Sequence, residues 1–299
     1  MVAEGGNARE DRALMEGRVC VVTGATSGIG REAVLKLAGM GARIVAAARD
    51  EGRAAALVRD VTERTGREIE TVLADLSSMG AVRRLADDVL ARHDAVHVLV
   101  NNAGILGGQR QVTADGVERT IAVNHLAPFL LTHLLRDAVR RGAAPGRASR
   151  VVTVASDAHR ASRLGTNDLD DLTYAKRYSA MRAYCDSKLA NVLFAYELAR
   201  REAEHNVASY AVHPGSVRSG WGRDGHGMMG LLLRLIGPFQ LSSERGARPV
   251  VRAATDAALE RQTGIYVTQK GVVSSSPRSY DEALAKRLWE VSERLTGVA

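Results

Sequence analysis

Residues 19–30 read VCVVTGATSGIG, an apolar run that stops at Gly24 and continues through Gly28 and Gly30 with the spacing G-x-x-x-G-x-G. The residues that follow, REAVLKLAGMG (31–41), carry a helical period that ends in the Gly39–Gly41 region. A strand that empties into glycines and then into a helix is suited to an anion. Glycine allows a tight turn and close backbone approach to a pyrophosphate, while the first helical turn offers unbonded N–H groups at the positive end of the helix dipole. A glycine turn alone is also compatible with a purely structural bend, and the segments downstream separate the two.

Six further strand-like runs follow at ARIVAAA, IETVLADL, VHVLVNNAG, SRVVTVAS, VASYAVHPG and GIYVT, most of them separated by long segments of helical period. They are rich in Val, Ile and Ala without polar alternation, the pattern of parallel strands covered on both faces. The expected fold is α/β, a Rossmann-type doubly wound parallel sheet in a three-layer α/β/α sandwich. One domain is expected over 17–299, preceded by a flexible polar start over 1–16. RGAAPGRAS (141–149) and SSSPRS (274–279) read as surface connections.

Composition narrows the function. The chain has 299 residues, of which 45% are hydrophobic, enough for one large core or two small ones. The net charge of +7 is spread along the whole length and aromatics are only 4%, so no basic stripe with interleaved rings points to nucleic acid. The two cysteines, Cys20 and Cys185, are far apart, and the histidines show no ligand spacing, so neither a disulfide framework nor a metal site is expected. A cytoplasmic protein without a signal peptide or membrane anchor is the expectation.

The ends of the later strands carry the chemistry. The fourth run closes in NNAG (101–104), the helix after it contains VNHLAPF with Asn124, the fifth run closes at Ser156, YCDSK puts Tyr184 and Lys188 one helical turn apart, and the sixth closes in HPG (213–215). Together these motifs resemble the short-chain dehydrogenase/reductase family, its Tyr-x-x-x-Lys branch, over about residues 17–270. RDEGRAAALVRDV, YCDSKLANVLFAYELARR, YAVHPGSV and RLWEVSERL further resemble the retinol-dehydrogenase-like group of that family.

A ketone is reduced by a hydride delivered to its carbon and a proton delivered to its oxygen. NADPH would supply the first and Tyr184 the second, with Lys188 favouring the phenolate electrostatically and Ser156 bonding the substrate oxygen. Taken singly, each residue also has a structural reading: a chance helical pair, a helix cap, a satisfied backbone. Only five of the 41 cations are lysine, so lysine at this offset points to a compact, titratable ammonium. Cys185 reads as a packing residue. The resemblance implies that Lys188 also holds the nicotinamide ribose and that Asn124 positions a water relaying protons to it. It extends the dinucleotide contacts to Thr26, Ser27, Ile29, Asn102, Ala103 and Gly104, and to Pro214, Gly215 and Val217 after the sixth strand. Asp75 with Leu76 resembles the adenine contact.

Arg49 closes the second run 19 residues beyond Gly30, where an acid would bind the ribose 2′-hydroxyl and an arginine suits a 2′-phosphate. NADP is therefore expected ahead of NAD, with the neighbouring Asp50 explained as a helix N-cap. Residues 216–243, glycine-rich and then apolar through MMGLLLRLIGPF (228–239), read as a substrate lid or as a packing helix. A hydrophobic small-molecule carbonyl or alcohol is the expected substrate, and a homodimer or homotetramer is left open. Two other classes stay open at this stage: an epimerase or cyclase that retains its cofactor, and a non-catalytic dinucleotide sensor.

Overall fold

The computed structural model describes residues 14–216 and 241–298. Seven strands coincide with the seven apolar runs: β1 (Val19–Thr23), β2 (Arg43–Ala48), β3 (Glu70–Leu73), β4 (Val98–Asn101), β5 (Ser149–Val154), β6 (Val207–Val212) and β7 (Ile265–Thr268). A short β8 (Gly271–Val273), not expected from the sequence, closes a hairpin with β7. The sheet order is β3-β2-β1-β4-β5-β6-β7-β8, parallel throughout except for the β7·β8 pair. This is the doubly wound Rossmann-type arrangement.

Alternation within each strand builds the two outer layers. Val19 and Val21 of β1 enter one core cluster, while Cys20 and Val22 enter the other. Val45 and Ala47 against Ile44 and Ala46 repeat the division in β2. Because successive side chains point to opposite faces, a strand buried on both sides is apolar at most positions, which is why the runs lack polar alternation.

Helices α1 (Gly28–Gly39), α2 (Glu51–Thr65) and α7 (Ser243–Thr255) contribute Leu37, Leu57 and Val250 to one cluster. On the other face lie α3 (Met79–Leu90), α4 (119–134), α5 (Arg136–Arg141), α6 (Ala180–Arg201) and α8 (Glu282–Thr296), with Leu85, Leu126, Leu193 and Trp289 in the core. Every residue of α6 from Ala183 to Ala199 is buried. The helix is covered on its outer side by α8, where Trp289 meets Phe129 edge-on at 4.9 Å and stacks on Phe194 at 5.9 Å.

Two connections differ from expectation. The fold begins earlier than residue 17: Met15 is 1% exposed and its N–H donates to the Met40 carbonyl at 2.9 Å, so an apolar side chain in an otherwise polar start is drawn into the core. Residues 274–279 are not a plain surface connection. Ser275, Ser276 and Ser279 are buried, and the Ser275 and Ser279 hydroxyls are 2.6 Å apart, so the polarity of that pair is spent inside the protein.

Candidate active site

Strand order reverses between β1 and β4, and the crevice outside the carboxyl ends of these strands is where doubly wound sheets take ligands. Gly24 has φ +64°, and a Cβ there would lie 2.8 Å from Ala103 Cα. At Gly30 a Cβ would reach Asn102 Nδ2 at 2.5 Å and would also meet the Gly24 carbonyl. The glycines are thus required by the NNAG turn pressing on the β1 turn. Asn102 Nδ2 donates to the Thr23 carbonyl at 2.9 Å, while the Asn102 and Ala103 N–H groups donate to Thr23 Oγ1 at 3.0 and 3.1 Å.

Helix α1 opens at Gly28, and its N-cap Ser27 makes no side-chain capping bond. The first-turn N–H groups are therefore not closed off by their own cap, and the residues fit a pyrophosphate. Thr26 and Ile29 are half-buried on either side of the exposed Ser27, and Ile29 packs on the core.

Arg49 stands exposed directly after β2. Asp50 is the N-cap of α2, its Oδ1 accepting from the Arg53 N–H at 2.8 Å, which is the capping role anticipated for it. Asp75 Oδ1 accepts from the Ser77 N–H at 3.0 Å and Ser77 Oγ at 2.9 Å. Desolvation works upward on this carboxyl, but the Ser77 bonds and the nearby Arg49 and Arg119 hold it below the usual carboxylate range. Leu76 beside it is half-buried.

Four of the anticipated residues converge beyond β4 and β5. In α4, Ala122–Leu126 is π-helical, with the Ala127 N–H bonded to the Ala122 carbonyl. Pro128 has no N–H for the Asn124 carbonyl, so the wider turn falls where the α-helical bond cannot form. Asn124 is fully buried, with Oδ1 accepting from the Ile105 N–H at 2.7 Å and Nδ2 donating to the Ile105 carbonyl and Ser187 Oγ, both at 2.9 Å. Ser187 Oγ in turn donates to the Tyr184 carbonyl at 2.7 Å. Asn124 thus joins the Gly104–Ile105 turn to α6.

Lys188 is buried, and its Nζ donates to the Val154 carbonyl at 3.0 Å and lies 5.6 Å from the Tyr184 ring centroid. Burial lowers its pKa from 10.5 to about 8. A Cβ on Gly104 would sit 3.4 Å from both Lys188 Nζ and Asn124 Oδ1, so glycine keeps the backbone close to the ammonium. Burial pushes the Tyr184 phenol well above its ordinary value, and a hydrogen bond with Ser156 opposes this. The phenol is therefore held in its acid form.

Ser156 takes the capping role and also meets Tyr184. It caps the short 3-10 turn Asp157–Ala161 by accepting from the Ala158 N–H at 3.2 Å, and it bonds Tyr184. Cys185 is buried and its thiol is pushed upward by burial, as suits a packing residue.

After β6, the Pro214 carbonyl accepts from Gln269 Nε2 at 2.9 Å and Gly215 takes φ +89°. Val217 and residues 217–240 of the anticipated lid lie outside the described residues. Among the described residues no helix is long and apolar enough to cross a membrane, and no group of three or more His, Cys, Asp or Glu could hold a metal ion.

Thr23, Ser187 and His159 also shape the site and were not singled out by sequence. Thr23 and Ser187 directly adjoin quoted motif residues, whereas His159 carries no local signal. Its ring bonds the Ser156 carbonyl at 2.7 Å and accepts from the Ser276 N–H at 2.9 Å, which only the folded chain reveals.

Residues 18–167 match the family profile described as short chain dehydrogenase. Retinol dehydrogenase 12 of Homo sapiens is 41% identical over 286 residues, covering 95% of this chain and 88% of that one. A protein of Streptomyces sp. (strain C5) described as a daunorubicin C-13 ketoreductase, DnrU, is 37% identical over 283 residues, covering 95% of this chain and 94% of its own length. The crystal structure of an uncharacterized protein from Mycobacterium Paratuberculosis is similar at a TM-score of 0.75 and 32% identity, with 98% of each chain covered.

Proposed function

The chain belongs to the short-chain dehydrogenase/reductase family and to its retinol-dehydrogenase-like group, and on that premise we propose that it interconverts a hydrophobic ketone or aldehyde and the corresponding alcohol, using NADP(H). The observation that carries the reading is the convergence of Ser156, Tyr184, Lys188 and Asn124 beside Gly104.

When bound, the dinucleotide supplies the hydride in reduction or accepts it in oxidation. In the reducing direction Tyr184 gives its phenolic proton to the carbonyl oxygen, for which a buried, protonated phenol is the competent form. Ser156 bonds the same oxygen and stabilises the charge that develops there. Lys188, compact and cationic, favours the phenolate left behind and holds the ribose hydroxyls, while Asn124 fixes the turn that Lys188 faces and places the water that returns a proton.

NADP over NAD is supported by Arg49, exposed at the end of β2 with Asp50 committed to capping α2. An apolar substrate is supported by the sequence MMGLLLRLIGPF. The chain handles a small molecule, and no role in nucleic-acid binding is proposed.

The test is a screen of hydrophobic aldehydes, ketones and secondary alcohols followed at the nicotinamide absorbance. Net NADPH consumption with a carbonyl is the expected result, and Tyr184→Phe should lower turnover at least about a hundredfold while leaving NADPH affinity near that of the parent. Substrate conversion without net NADPH change, or near-parental turnover in Tyr184→Phe, would refute the proposal.

A further inference from the structure

Asp186 lies between Tyr184 and Lys188 in sequence, but two residues along a helix correspond to about 200° of rotation, so it faces away from both. It is 1% exposed. Its Oδ1 accepts from Ser162 Oγ at 2.6 Å, its Oδ2 accepts from the Tyr174 hydroxyl at 3.0 Å, and Arg182 Nε stands 3.5 Å from Oδ2. Arg182 is itself fixed by Asp168 at 2.8 Å, with its guanidinium 5.6 Å from the centroid of the Tyr174 ring.

Two features here cost stability. A carboxylate taken out of water loses several kcal/mol of hydration unless its bonds replace it. Tyr174 has φ +54°, a conformation that disfavours a residue with a Cβ by about 1–3 kcal/mol. An apolar side chain at 186 would pack between α6 and the loop without the first cost, so simple packing does not account for an acid at this place.

The partners of Asp186 show what it joins. Ser162 is the C-cap of the 3-10 turn whose N-cap is Ser156, and the Leu164 N–H donates to Ser162 Oγ at 3.1 Å. The start of that turn is already held: the Ser156 carbonyl accepts from His159 Nδ1, whose ring is fixed as the Nδ1–H tautomer because Nε2 accepts from the Ser276 N–H. Its end is held by Asp186. We propose that Asp186 is a positioning residue for the Ser156–Tyr184 pair, its carboxylate fastening the far end of the Ser156 turn to the helix that carries Tyr184. This rests on the assignment of Ser156 and Tyr184 to carbonyl chemistry given above.

Ser162→Ala tests it without stranding a charge, because Tyr174 and Arg182 remain on the carboxylate. A misplacement of ~1 Å is worth about a hundredfold in rate, and release of one of two fastenings should lower kcat about tenfold. KM for the carbonyl and Kd for NADPH should stay within about twofold of the parent. Ser162→Thr, which retains the hydroxyl, should restore kcat. Asp186→Asn should lower kcat to a similar degree, and adding Ser162→Ala to it should lower kcat little further, since both act on one bond.

Parental kcat in Ser162→Ala, a loss that Ser162→Thr does not restore, or fully additive losses would overturn the proposal. A second readout does not need turnover: amide exchange over residues 156–164 should quicken in Ser162→Ala and return to the parental rate in Ser162→Thr. If the parent itself reduces no carbonyl, the proposed reaction fails, and unchanged exchange in Ser162→Ala would then overturn the fastening separately.

Discussion

Replacing Lys188 by methionine should make the protein more stable at neutral pH while abolishing its chemistry. Burial alone lowers the Lys188 ammonium from 10.5 to about 8. At about 1.36 kcal/mol per tenfold change in proton affinity, that displacement corresponds to roughly 3 kcal/mol of destabilisation when the side chain is charged in both the folded and unfolded states. Methionine fills a similar volume without charge. It loses the Nζ bond to the Val154 carbonyl, about 1 kcal/mol, but Asn191 Nδ2 still donates to that carbonyl at 3.2 Å, so no buried acceptor is stranded. The net expectation at pH 7 is a gain of about 2 kcal/mol.

The pH dependence carries a definite sign. Below about 8 Lys188 is protonated in both states, and the cost is fully present. Between about 8 and 10.5 only the unfolded chain holds the proton, so the parent gains stability with rising pH. Above that window the cost is gone. Lys188→Met lacks this slope, and its advantage should shrink and then reverse as pH rises through the window. Urea denaturation of both proteins at pH 7 and at steps toward pH 10.5 measures this, with other titrating groups cancelling in the difference. A variant less stable than the parent at pH 7, or a difference that does not change with pH, would refute the reasoning.

Gly30→Ala forces a Cβ against Asn102 Nδ2 and the Gly24 carbonyl, so it should cost about 1–3 kcal/mol in stability, by chemical denaturation, and weaken dinucleotide binding by titration. Gly66→Ala is the control: φ +69° at the end of α2 with nothing within 4 Å of its Cβ should cost about 1 kcal/mol and leave dinucleotide affinity unchanged. Arg49→Ala should narrow a preference for NADPH over NADH that is at least about tenfold in the parent, or roughly 1.4 kcal/mol by titration.

The central parallel strands were legible because they are buried on both faces, which forces continuous apolar runs such as Val19–Val22, whereas the edge strand β3 is only partly buried, with Leu73 exposed. The site was legible in part for a related reason: Gly24, Asn102 and Ser156 sit where strands end, and the change from apolar run to Gly, Asn or Ser marks the place. β8 was not legible, since three residues after a turn carry too little pattern. Nor was the unbroken burial of α6 from Ala183 to Ala199, because its outer side is covered by α8, almost a hundred residues later in the chain. His159 and Asp186 are cases of the same limit: their roles come from Ser276 and from Ser162 and Tyr174, and no local spacing encodes those meetings.

Several unfavourable features gather at the carboxyl edge of the sheet, beyond β4 and β5. Lys188 carries a desolvated ammonium, Tyr184 a buried phenol, α4 a π-helical turn, and Tyr174 a left-handed backbone. Each lies on or beside the segments that hold Ser156, Tyr184, Lys188 and Asn124. Their retention requires compensation from elsewhere, and the two apolar clusters flanking the sheet supply it, with a fully buried Val, Leu or Phe stabilising the fold by about 1.5–3 kcal/mol. The two kinds of residue should therefore separate under substitution. A change that relieves strain or charge at the edge should raise stability and lower turnover together, whereas a truncation within the clusters should lower stability and leave kcat per folded molecule nearly unchanged.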